Sequence, residues 1–289
     1  FGYCNTLESV EFGNGITSIG NYAFSGCSSL KEISIPQGVS LIGNYAFSGC
    51  REIKEINLNE DLAVIGNNAF EYCSNIENVF IPRGITQLGE QVFNACSNLK
   101  RISVSSENLN YFADDIGVLF SKDKSKIIQY PMALEQELYI VPEGVNTIND
   151  WAFYNSQLKY VYLPQTITTI GYAAFYECNN MLKVYFEANI DDFKKVTILA
   201  QNSTLDKAEK VYDFAFCYGD INTDGKINVM DVTVLRLYLL GKYDMFPLKE
   251  ILDVNFDGKV DIKDVTILKQ YIVGGYGIIL NNYTGEGGC

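Results

Sequence analysis

One short motif constrains the fold of this chain more than any other feature, because it returns at a fixed interval. It reads Ile-Gly-Asn-Tyr-Ala-Phe at its first occurrence and recurs in related form five times. The six copies lie at residues 19–24, 42–47, 65–70, 88–93, 148–153 and 170–175, and the first four are spaced 23 residues apart. A period of this length is typical of solenoids, in which each unit stacks on the next.

A short segment with alternating apolar residues follows each motif and predicts a β-strand. Because one such unit cannot bury its own apolar face, neighbouring units stack, and their strands align as a parallel sheet along one side. Residues 7–12 form the first visible rung, where a rung is one turn of the solenoid. The later strands are predicted at residues 30–36, 53–58, 76–82, 99–104, 158–164 and 181–186.

The repeat is interrupted between residues 105 and 142 and ends near residue 186. Inside the interruption, residues 117–120 and 127–130 predict a β-hairpin around a polar turn, followed by another rung at 138–141. Beyond residue 186 the period is lost but apolar side chains persist, so we expect this segment to cap the open end of the solenoid. These side chains are Phe193, Val196, Ile198, Leu205 and Val211.

The repeat resembles the BspA-like class of leucine-rich repeats, and the interrupting hairpin is also familiar from that class. The resemblance implies a β-rich leucine-rich-repeat solenoid with a parallel sheet. It also implies association with a microbial cell surface, which periodicity alone does not indicate.

A second repeat lies near the other end of the chain, where residues 220–241 return as residues 253–274. In both copies Asp or Asn occupies positions 1, 3, 5, 9 and 12 of a loop, and a glycine occupies position 6. Calcium takes about six to eight oxygen ligands, and a twelve-residue loop supplies them if it turns at a glycine and offers a backbone carbonyl at position 7. The predicted ligands are Asp220, Asn222, Asp224, Lys226, Asn228 and Asp231, then Asp253, Asn255, Asp257, Lys259, Asp261 and Asp264.

Two such loops in register favour two calcium ions over the alternative, a polar turn that simply precedes a helix. Position 12 carries Asp, whereas the usual EF-hand loop has Glu there. An amphipathic helix follows each loop, and the apolar stripes of the two helices are expected to pack on each other. The stripes consist of Val232, Leu235 and Leu239 in one copy and Val265, Leu268 and Ile272 in the other.

Residues 218–275 resemble the type I dockerin family, through the duplicated loop-helix units, the Asp at position 12 and the Gly-Asp-Ile-Asn start. The resemblance implies a small all-α, EF-hand-like calcium module that docks onto a cohesin domain of a scaffoldin in a cellulosome. It further implies the partner-binding residues Val229, Met230, Arg236 and Leu237 in one copy and Ile262, Lys263, Lys269 and Gln270 in the other. Because these two sets differ, we expect one face to dominate docking rather than two interchangeable orientations.

These patterns predict two domains, a repeat domain at 1–215 and a dockerin-like module at 216–289. Because Phe1 falls within a repeat, we expect the natural protein to begin further upstream. The formal charge of −13 argues against nucleic acid or an anionic membrane as partner. The chain has no histidine, which excludes Ser-His-Asp and Cys-His nucleophiles and histidine-ligated zinc. No apolar run approaches the roughly 18 residues of a membrane-spanning helix.

Cysteines recur with the repeat and occupy one column of the solenoid. A small, easily buried side chain suits a tight inward turn, so free structural thiols are favoured over disulfides or metal. Cys217 and Cys289 flank the calcium module instead, and a disulfide between them is the alternative to two free thiols. The column consists of Cys4, Cys27, Cys50, Cys73, Cys96 and Cys178.

Alternate positions of the predicted strands face solvent and include several aromatic residues. Exposed aromatics favour a binding surface for a protein or a glycan, unless the inserted segment folds over them. Glu32 and Glu55 lie one strand apart, about 5 Å, which suits a retaining glycosidase, but a solvated charged face is the favoured interpretation. The aromatic residues are Phe80, Tyr160, Tyr162 and Tyr185.

The sequence therefore predicts a non-catalytic, secreted protein located outside the cell, at the cell surface or in a cellulosome. Its calcium module would attach it to a scaffoldin, and its repeats would display a binding surface. The alternative is a polysaccharide-degrading enzyme whose catalytic part lies upstream or on the solenoid face. No catalytic residue is assigned.

Overall fold

The computed structural model describes residues 1–13, 15–212, 221, 227, 229–242, 252–254 and 259–273. The chain divides into two compact units, Phe1–Asp213 and Phe214–Cys289. The boundary expected at 215/216 lies outside the described residues and stays a prediction.

The first unit is a solenoid in which each complete rung contributes two short strands to two parallel ladders. One ladder was predicted, and it begins with β2 (Glu32–Ser34), β4 (Glu55–Asn57), β6 (Asn78–Ile81) and β8 (Arg101–Val104). The other was not predicted, and it lies at the start of each motif. It begins with β1 (Ser18–Ile19), β3 (Leu41–Ile42), β5 (Val64–Ile65) and β7 (Gln87–Leu88).

The inserted segment forms three antiparallel strands, β9 (Tyr111–Ala113), β10 (Leu119–Ser121) and β11 (Lys126–Gln129). The predicted hairpin is confirmed by the pairing of β10 with β11, whereas β9 is an additional strand. Strand β11 then pairs in parallel with β13 (Thr147–Ile148) and so starts the solenoid again.

After the inserted segment, both sides of the solenoid carry further parallel strands to the end of the first unit. The segment expected to act as a cap adds one strand to each side, β17 (Thr197–Ile198) and β18 (Glu209–Val211). A short helix precedes each of these strands in the chain. By contrast, residues 7–12, predicted as the first rung, form no strand in the described chain. They still contact the next rung, because the Lys31 backbone amide donates to the Glu8 carbonyl at 3.1 Å. The elements are β12 (Leu138–Ile140), β14 (Tyr160–Leu163), β15 (Thr169–Ile170), β16 (Lys183–Phe186), α1 (Ile190–Phe193), β17 (Thr197–Ile198), α2 (Ser203–Lys207) and β18 (Glu209–Val211).

A column of stacked phenylalanine rings fills the core. The last residue of each motif points inward, and the rings of Phe24, Phe47 and Phe70 lie nearly parallel with centroids 5.3 Å apart. After the hairpin, Tyr130 takes the place of phenylalanine and stacks on Phe153 at 5.0 Å. Rings buried in this way remove a large apolar area from water in every rung.

The predicted column of thiols is confirmed, because the six cysteines of the column are free and five of them are buried. Each buried thiol donates to the carbonyl of a phenylalanine in the preceding rung. For example, the Cys73 sulfur lies 3.2 Å from the Phe47 carbonyl oxygen. Burial raises the pKa of the Cys50 and Cys96 thiols to about 12, so both remain protonated donors. Cys217 and Cys289 lie outside the described residues.

A ladder of asparagine side chains links successive rungs. The Asn44 amide donates to Asn21 Oδ1 at 2.7 Å, and the Asn67 amide donates to Asn44 Oδ1 at 2.8 Å. The preceding glycine is needed because the two backbones approach closely. A Cβ atom on Gly43 would lie 2.5 Å from Asn21 Oδ1.

In the second unit, two helices of equal length pack against each other, α3 (Val229–Leu239) and α4 (Ile262–Ile272). Their predicted apolar stripes are largely confirmed. At the ends of the stripes, Leu239 is 36% exposed and Ile272 is half-buried. The buried members are Val232, Leu235, Val265 and Leu268.

Candidate docking, metal-binding and ligand-binding sites

The structure describes five of the twelve predicted calcium ligands, namely Asp231, Asp253, Lys259, Asp261 and Asp264. The other seven, Asp220, Asn222, Asp224, Lys226, Asn228, Asn255 and Asp257, lie outside the described residues. Among the residues that are described, no group of three or more His, Cys, Asp or Glu side chains is arranged to hold a metal ion.

The two carboxylates at loop position 12 each accept a hydrogen bond from a backbone amide of their own copy. Asp231 and Asp264 lie in the first turn of α3 and α4, and both are fully buried. Asp231 Oδ1 accepts from the Ile221 amide at 2.7 Å, and Asp264 Oδ2 accepts from the Asp261 amide at 2.7 Å. A buried carboxylate is costly unless an opposite charge or a metal ion balances it. These two residues therefore fit a cation site.

Asp261, at loop position 9, also starts helix α4. Its Oδ1 accepts from the Lys263 amide at 2.6 Å, and together with Asp264 it forms a reciprocal capping box. This cap fixes the backbone where the loop enters the helix. Asp261 and Asp264, which are both predicted calcium ligands, thus also fix the junction between the loop and the helix.

The residues predicted to contact a cohesin lie on the exposed sides of the two helices. Val229 and Ile262, the first residues of α3 and α4, are each 66% exposed, and Met230 is 57% exposed. Arg236 follows Val229 by seven residues, which places both on one face of the helix. Leu237 is half-buried, whereas Lys263, Lys269 and Gln270 are exposed. Each helix therefore presents a large apolar side chain to solvent at its first position.

The predicted aromatic surface of the sheet is wrong in part. Phe80 is 49% exposed and Tyr160 is half-buried, but Tyr162 and Tyr185 are only 6% and 8% exposed. Tyr162 and Tyr185 are register partners on adjacent strands, and Ile140 and Val211 occupy the same register on either side of them. Large side chains on adjacent strands cover one another. The alternation along a strand therefore predicts the face on which a side chain lies but not how much of it is exposed to solvent.

Glu32 and Glu55 are register partners on β2 and β4, as expected, and both are exposed. The neighbouring acids and bases form surface ion pairs, such as Lys31 with Glu8 at 2.6 Å and Lys100 with Glu77 at 2.9 Å. The surroundings of the two glutamates are those of a solvated charged face.

One edge of the solenoid carries aromatic residues that the sequence alone did not assign to a site, and of these Tyr22 is exposed whereas Tyr45 and Trp151 are half-buried. The fourth residue of each motif has a positive φ, including Tyr22 at 57°, Tyr45 at 56° and Trp151 at 59°. A bulky residue in this conformation costs roughly 1–2 kcal/mol relative to ordinary helical backbone. A less bulky residue, Asn68, occupies the same position in another rung, so the backbone does not require an aromatic side chain there. The repeated aromatic residues were therefore the sequence signal for a surface at this edge.

Two family profiles match the chain. The profile of the BspA type leucine-rich repeat region matches residues 1–116 and 135–223 in six copies, and the profile of the type I dockerin domain matches residues 218–273. No curated protein matches the chain. No helix among the described residues has the length and apolar character needed to cross a membrane.

Solved structures are similar over the repeat region. The pneumococcal vaccine antigen PcpA is 30% identical with a TM-score of 0.55, over 62% of this chain and 47% of PcpA. A leucine-rich repeat protein from Eubacterium ventriosum is 22% identical with a TM-score of 0.51, over 62% of this chain and 60% of that protein. The chain thus spans less than two thirds of either protein, and the second similarity concerns the fold alone.

The repeat profile covers well over half of the chain, and the stacked parallel rungs are the architecture of the similar solved structures. The chain therefore belongs to the BspA-type leucine-rich repeat family and carries a type I dockerin domain over residues 218–273.

Proposed function

We propose that this chain is a non-catalytic, secreted component that attaches to a cohesin-bearing scaffoldin through its dockerin. The observation that carries the proposal is that helices α3 and α4 begin with the same pattern of exposed and buried side chains. Each helix begins with an apolar residue that is 66% exposed, Val229 or Ile262, and each has a fully buried Asp two residues later. An exposed apolar side chain beside a rigid, buried anchor is a common starting point for a protein interface.

The residues predicted to hold calcium are the two sets of six loop positions, one ion to each set. Asp231 and Asp264 would supply the carboxylate at position 12, and Asp253, Lys259 and Asp261 would supply further oxygens of the second loop. When bound, the ion offsets the charge of the carboxylates and couples loop closure to folding. Type I dockerins generally bind calcium, and two ions per module is the proposal for this chain.

The docking face is proposed to consist of Val229, Met230, Arg236 and Leu237, or of their counterparts Ile262, Lys263, Lys269 and Gln270. The first set is largely apolar, whereas the second carries two lysines. A partner that is complementary to one set therefore meets different chemistry at the other, which supports one preferred orientation.

The repeat domain is proposed to display a binding surface for a protein or a glycan outside the cell. The wide, regular face of a stacked solenoid supports this role, because such surfaces bind extended ligands in other repeat proteins. The dockerin would then bring this surface to the scaffoldin, at the cell surface or within a cellulosome.

Isothermal titration of the full chain with a panel of type I cohesins, with calcium and with excess chelator, tests the docking role. We expect at least one cohesin to bind with calcium and none to bind in chelator. Asp206→Asn, an exposed carboxylate of the repeat domain, serves as a matched control and should bind normally. The docking role is wrong if no cohesin binds in calcium, or if binding persists unchanged in chelator.

A further inference from the structure

The hairpin leaves a notch in one edge of the solenoid. In the complete rungs, the stacked ring follows the inward residue of the β1 ladder by five positions, as Phe153 follows Ile148. In the hairpin rung, Tyr130 follows Ile127 by only three positions, although Ile127 pairs with Ile148 and Tyr130 stacks on Phe153. No residue in the described segment 125–134 has a positive φ, so this rung lacks the left-handed turns of its neighbours.

The missing turn opens a cavity of about 400 Å³, here called the edge notch. Its volume lies within the roughly 300–1,000 Å³ of pockets that bind small molecules. Carboxylate, amide and hydroxyl groups alternate with a few apolar side chains around it, and it has no lysine or arginine in its lining. The polar lining residues are Glu90, Gln91, Tyr111, Thr147, Asn149, Asp150 and Thr169.

The Gln91 side chain, which lines the notch, accepts hydrogen bonds from two buried amides. The two amides belong to Asn68 and Asn94, which are 7% and 5% exposed. Asn94 Nδ2 donates to Gln91 Oε1 at 3.5 Å, and Asn68 Nδ2 donates to the same oxygen at 3.4 Å. These two amides hold the Gln91 side chain in place at the notch.

Four aromatic rings, here called the ring cluster, begin at the residue that follows Asp150. Trp151 lies at the centre, with ring centroids of Tyr154, Tyr172 and Tyr176 at 5.4, 5.9 and 5.6 Å. Tyr172 is 39% exposed and the other three rings are half-buried. Trp151 has a left-handed backbone that Asn68 adopts in an earlier rung, so a smaller side chain would fit this position.

We propose that the edge notch and the ring cluster together bind a neutral polysaccharide chain. This inference rests on the proposed role of the repeat domain as a binding surface and names its ligand class. Sugar hydroxyls both donate and accept hydrogen bonds, as amides and carboxylates in the notch require, and sugar ring faces offer apolar C–H surface to aromatic rings. The carboxylates of Glu90 and Asp150, with no cation in the lining, disfavour acidic polymers.

An extended peptide fits the notch less well. Strands β11 and β13 are already paired with each other, and the Leu88 amide donates to the Tyr111 hydroxyl at 2.8 Å. The strands beside the notch therefore offer no unpaired backbone at these positions for an added β-strand.

Native electrophoresis of the full chain through gels that contain xyloglucan, galactomannan or hydroxyethylcellulose tests the inference. Polygalacturonate serves as the acidic polymer, and a soluble lysine-rich peptide is tested separately by titration. We expect at least one neutral polymer to retard the chain, and polygalacturonate to have no effect. Trp151→Asn should weaken retardation about tenfold, whereas Tyr22→Asn, the same change in a rung away from the notch, should not.

Asp150→Asn is a second variant, chosen because it keeps the acceptor for the Tyr172 amide, which now donates to Asp150 Oδ1 at 2.7 Å. It should also weaken retardation, and its unfolding midpoint in urea should match that of the natural chain. The inference is overturned if no neutral polymer retards the chain, if both variants bind as the natural chain does, or if only the lysine-rich peptide binds. Cohesin binding by the same preparation separates this failure from failure of the docking role.

Discussion

The Ser156 hydroxyl oxygen lies 3.3 Å from the Cys178 sulfur, in the column that cysteine occupies in the other complete rungs. Ser156 is buried, and the Cys178 thiol also donates to the Phe153 carbonyl at 2.9 Å. An oxygen therefore replaces a sulfur in the interior of this solenoid. The column therefore accommodates a small hydroxyl as well as a thiol.

This relationship predicts that Cys73→Ser is less harmful than Cys73→Ala. Both changes remove the sulfur, but only the serine can still donate to the Phe47 carbonyl. We expect the alanine variant to be less stable than the serine variant by about 0.5–1.5 kcal/mol, the net contribution of one hydrogen bond. Urea unfolding followed by the fluorescence of Trp151, the single tryptophan, reports on the solenoid. An alanine variant that equals the serine variant would show that the thiol only fills space.

The asparagine ladder predicts that glycine is required in an internal rung and not in the first one. A Cβ atom on Gly66 would lie 2.5 Å from Asn44 Oδ1, whereas nothing lies within 4 Å of one on Gly20. Gly66→Ala should destabilise the solenoid by about 1–3 kcal/mol through overpacking. Gly20→Ala, in the same local sequence, should change stability by less than about 0.5 kcal/mol. Equal effects in urea unfolding would rule out the contact between rungs as the cause.

Asp114 predicts a pH dependence of stability. Burial raises the pKa of its carboxyl group, although the Gly117 and Val118 amides donate to Oδ1 at 2.8 Å. The folded chain therefore binds this proton more tightly than the unfolded chain. The resulting stability is complete below the unfolded pKa of about 3.9 and is lost as pH rises through the folded pKa.

Asp114→Asn removes this titration while keeping an acceptor oxygen for Gly117 and Val118. We expect the unfolding free energy of the variant to increase relative to that of the natural chain as pH rises from about 3 to about 7. Glu71 and Glu143, whose pKa values are also raised by burial, titrate in both proteins and cancel in the difference. A difference that is constant with pH would contradict the prediction.

Calcium removal should unfold the dockerin and leave the solenoid folded. Carboxylates at close range repel one another without the ion, and binding energy becomes folding energy in such a module. We expect chelator to abolish the helical circular dichroism of α3 and α4 while Trp151 fluorescence is unchanged. Asp264→Asn should weaken calcium binding at least about tenfold, whereas Lys259→Gln should not, because position 7 contributes its backbone carbonyl. Circular dichroism that is insensitive to chelator would refute this prediction.

The two docking faces are expected to contribute unequally to cohesin binding. The double change Val229→Ala with Met230→Ala removes one apolar pair, and Ile262→Ala with Lys263→Ala removes its counterpart. One double variant should lose about 2 kcal/mol or more of binding free energy and the other less than about 1 kcal/mol. Titration with one cognate cohesin measures both. Equal losses would indicate two interchangeable orientations.

Much of the architecture was predictable because it repeats. The interval between motifs predicted the stacked rungs, the polar turn predicted the hairpin of β10 and β11, and the apolar spacing predicted α3 and α4. The ladder that contains β1 was missed because a strand such as Ser18–Ile19 has only two residues and pairs with a strand 23 residues away. Propensity over a short window carries no signal for such a contact.

The sites were less predictable than the fold. Alternation along a strand gave the direction of Tyr162 and Tyr185 but not the neighbouring side chains that bury them. The edge notch arises because one rung is shorter than its neighbour: Ile127 and Tyr130 are two residues closer in sequence than Ile148 and Phe153. That shortening becomes visible only when both pairs are placed in the same register.

The asparagine ladder has an evolutionary consequence. The rungs that contain Gly43 and Gly66 each carry both a glycine that makes room for the rung before and an asparagine that accepts from the rung after. A duplicated rung therefore brings its own connectors, and gene segments encoding whole repeats can be gained or lost without changes elsewhere. The hairpin rung has neither connector, so it divides the solenoid into two blocks whose lengths can evolve independently.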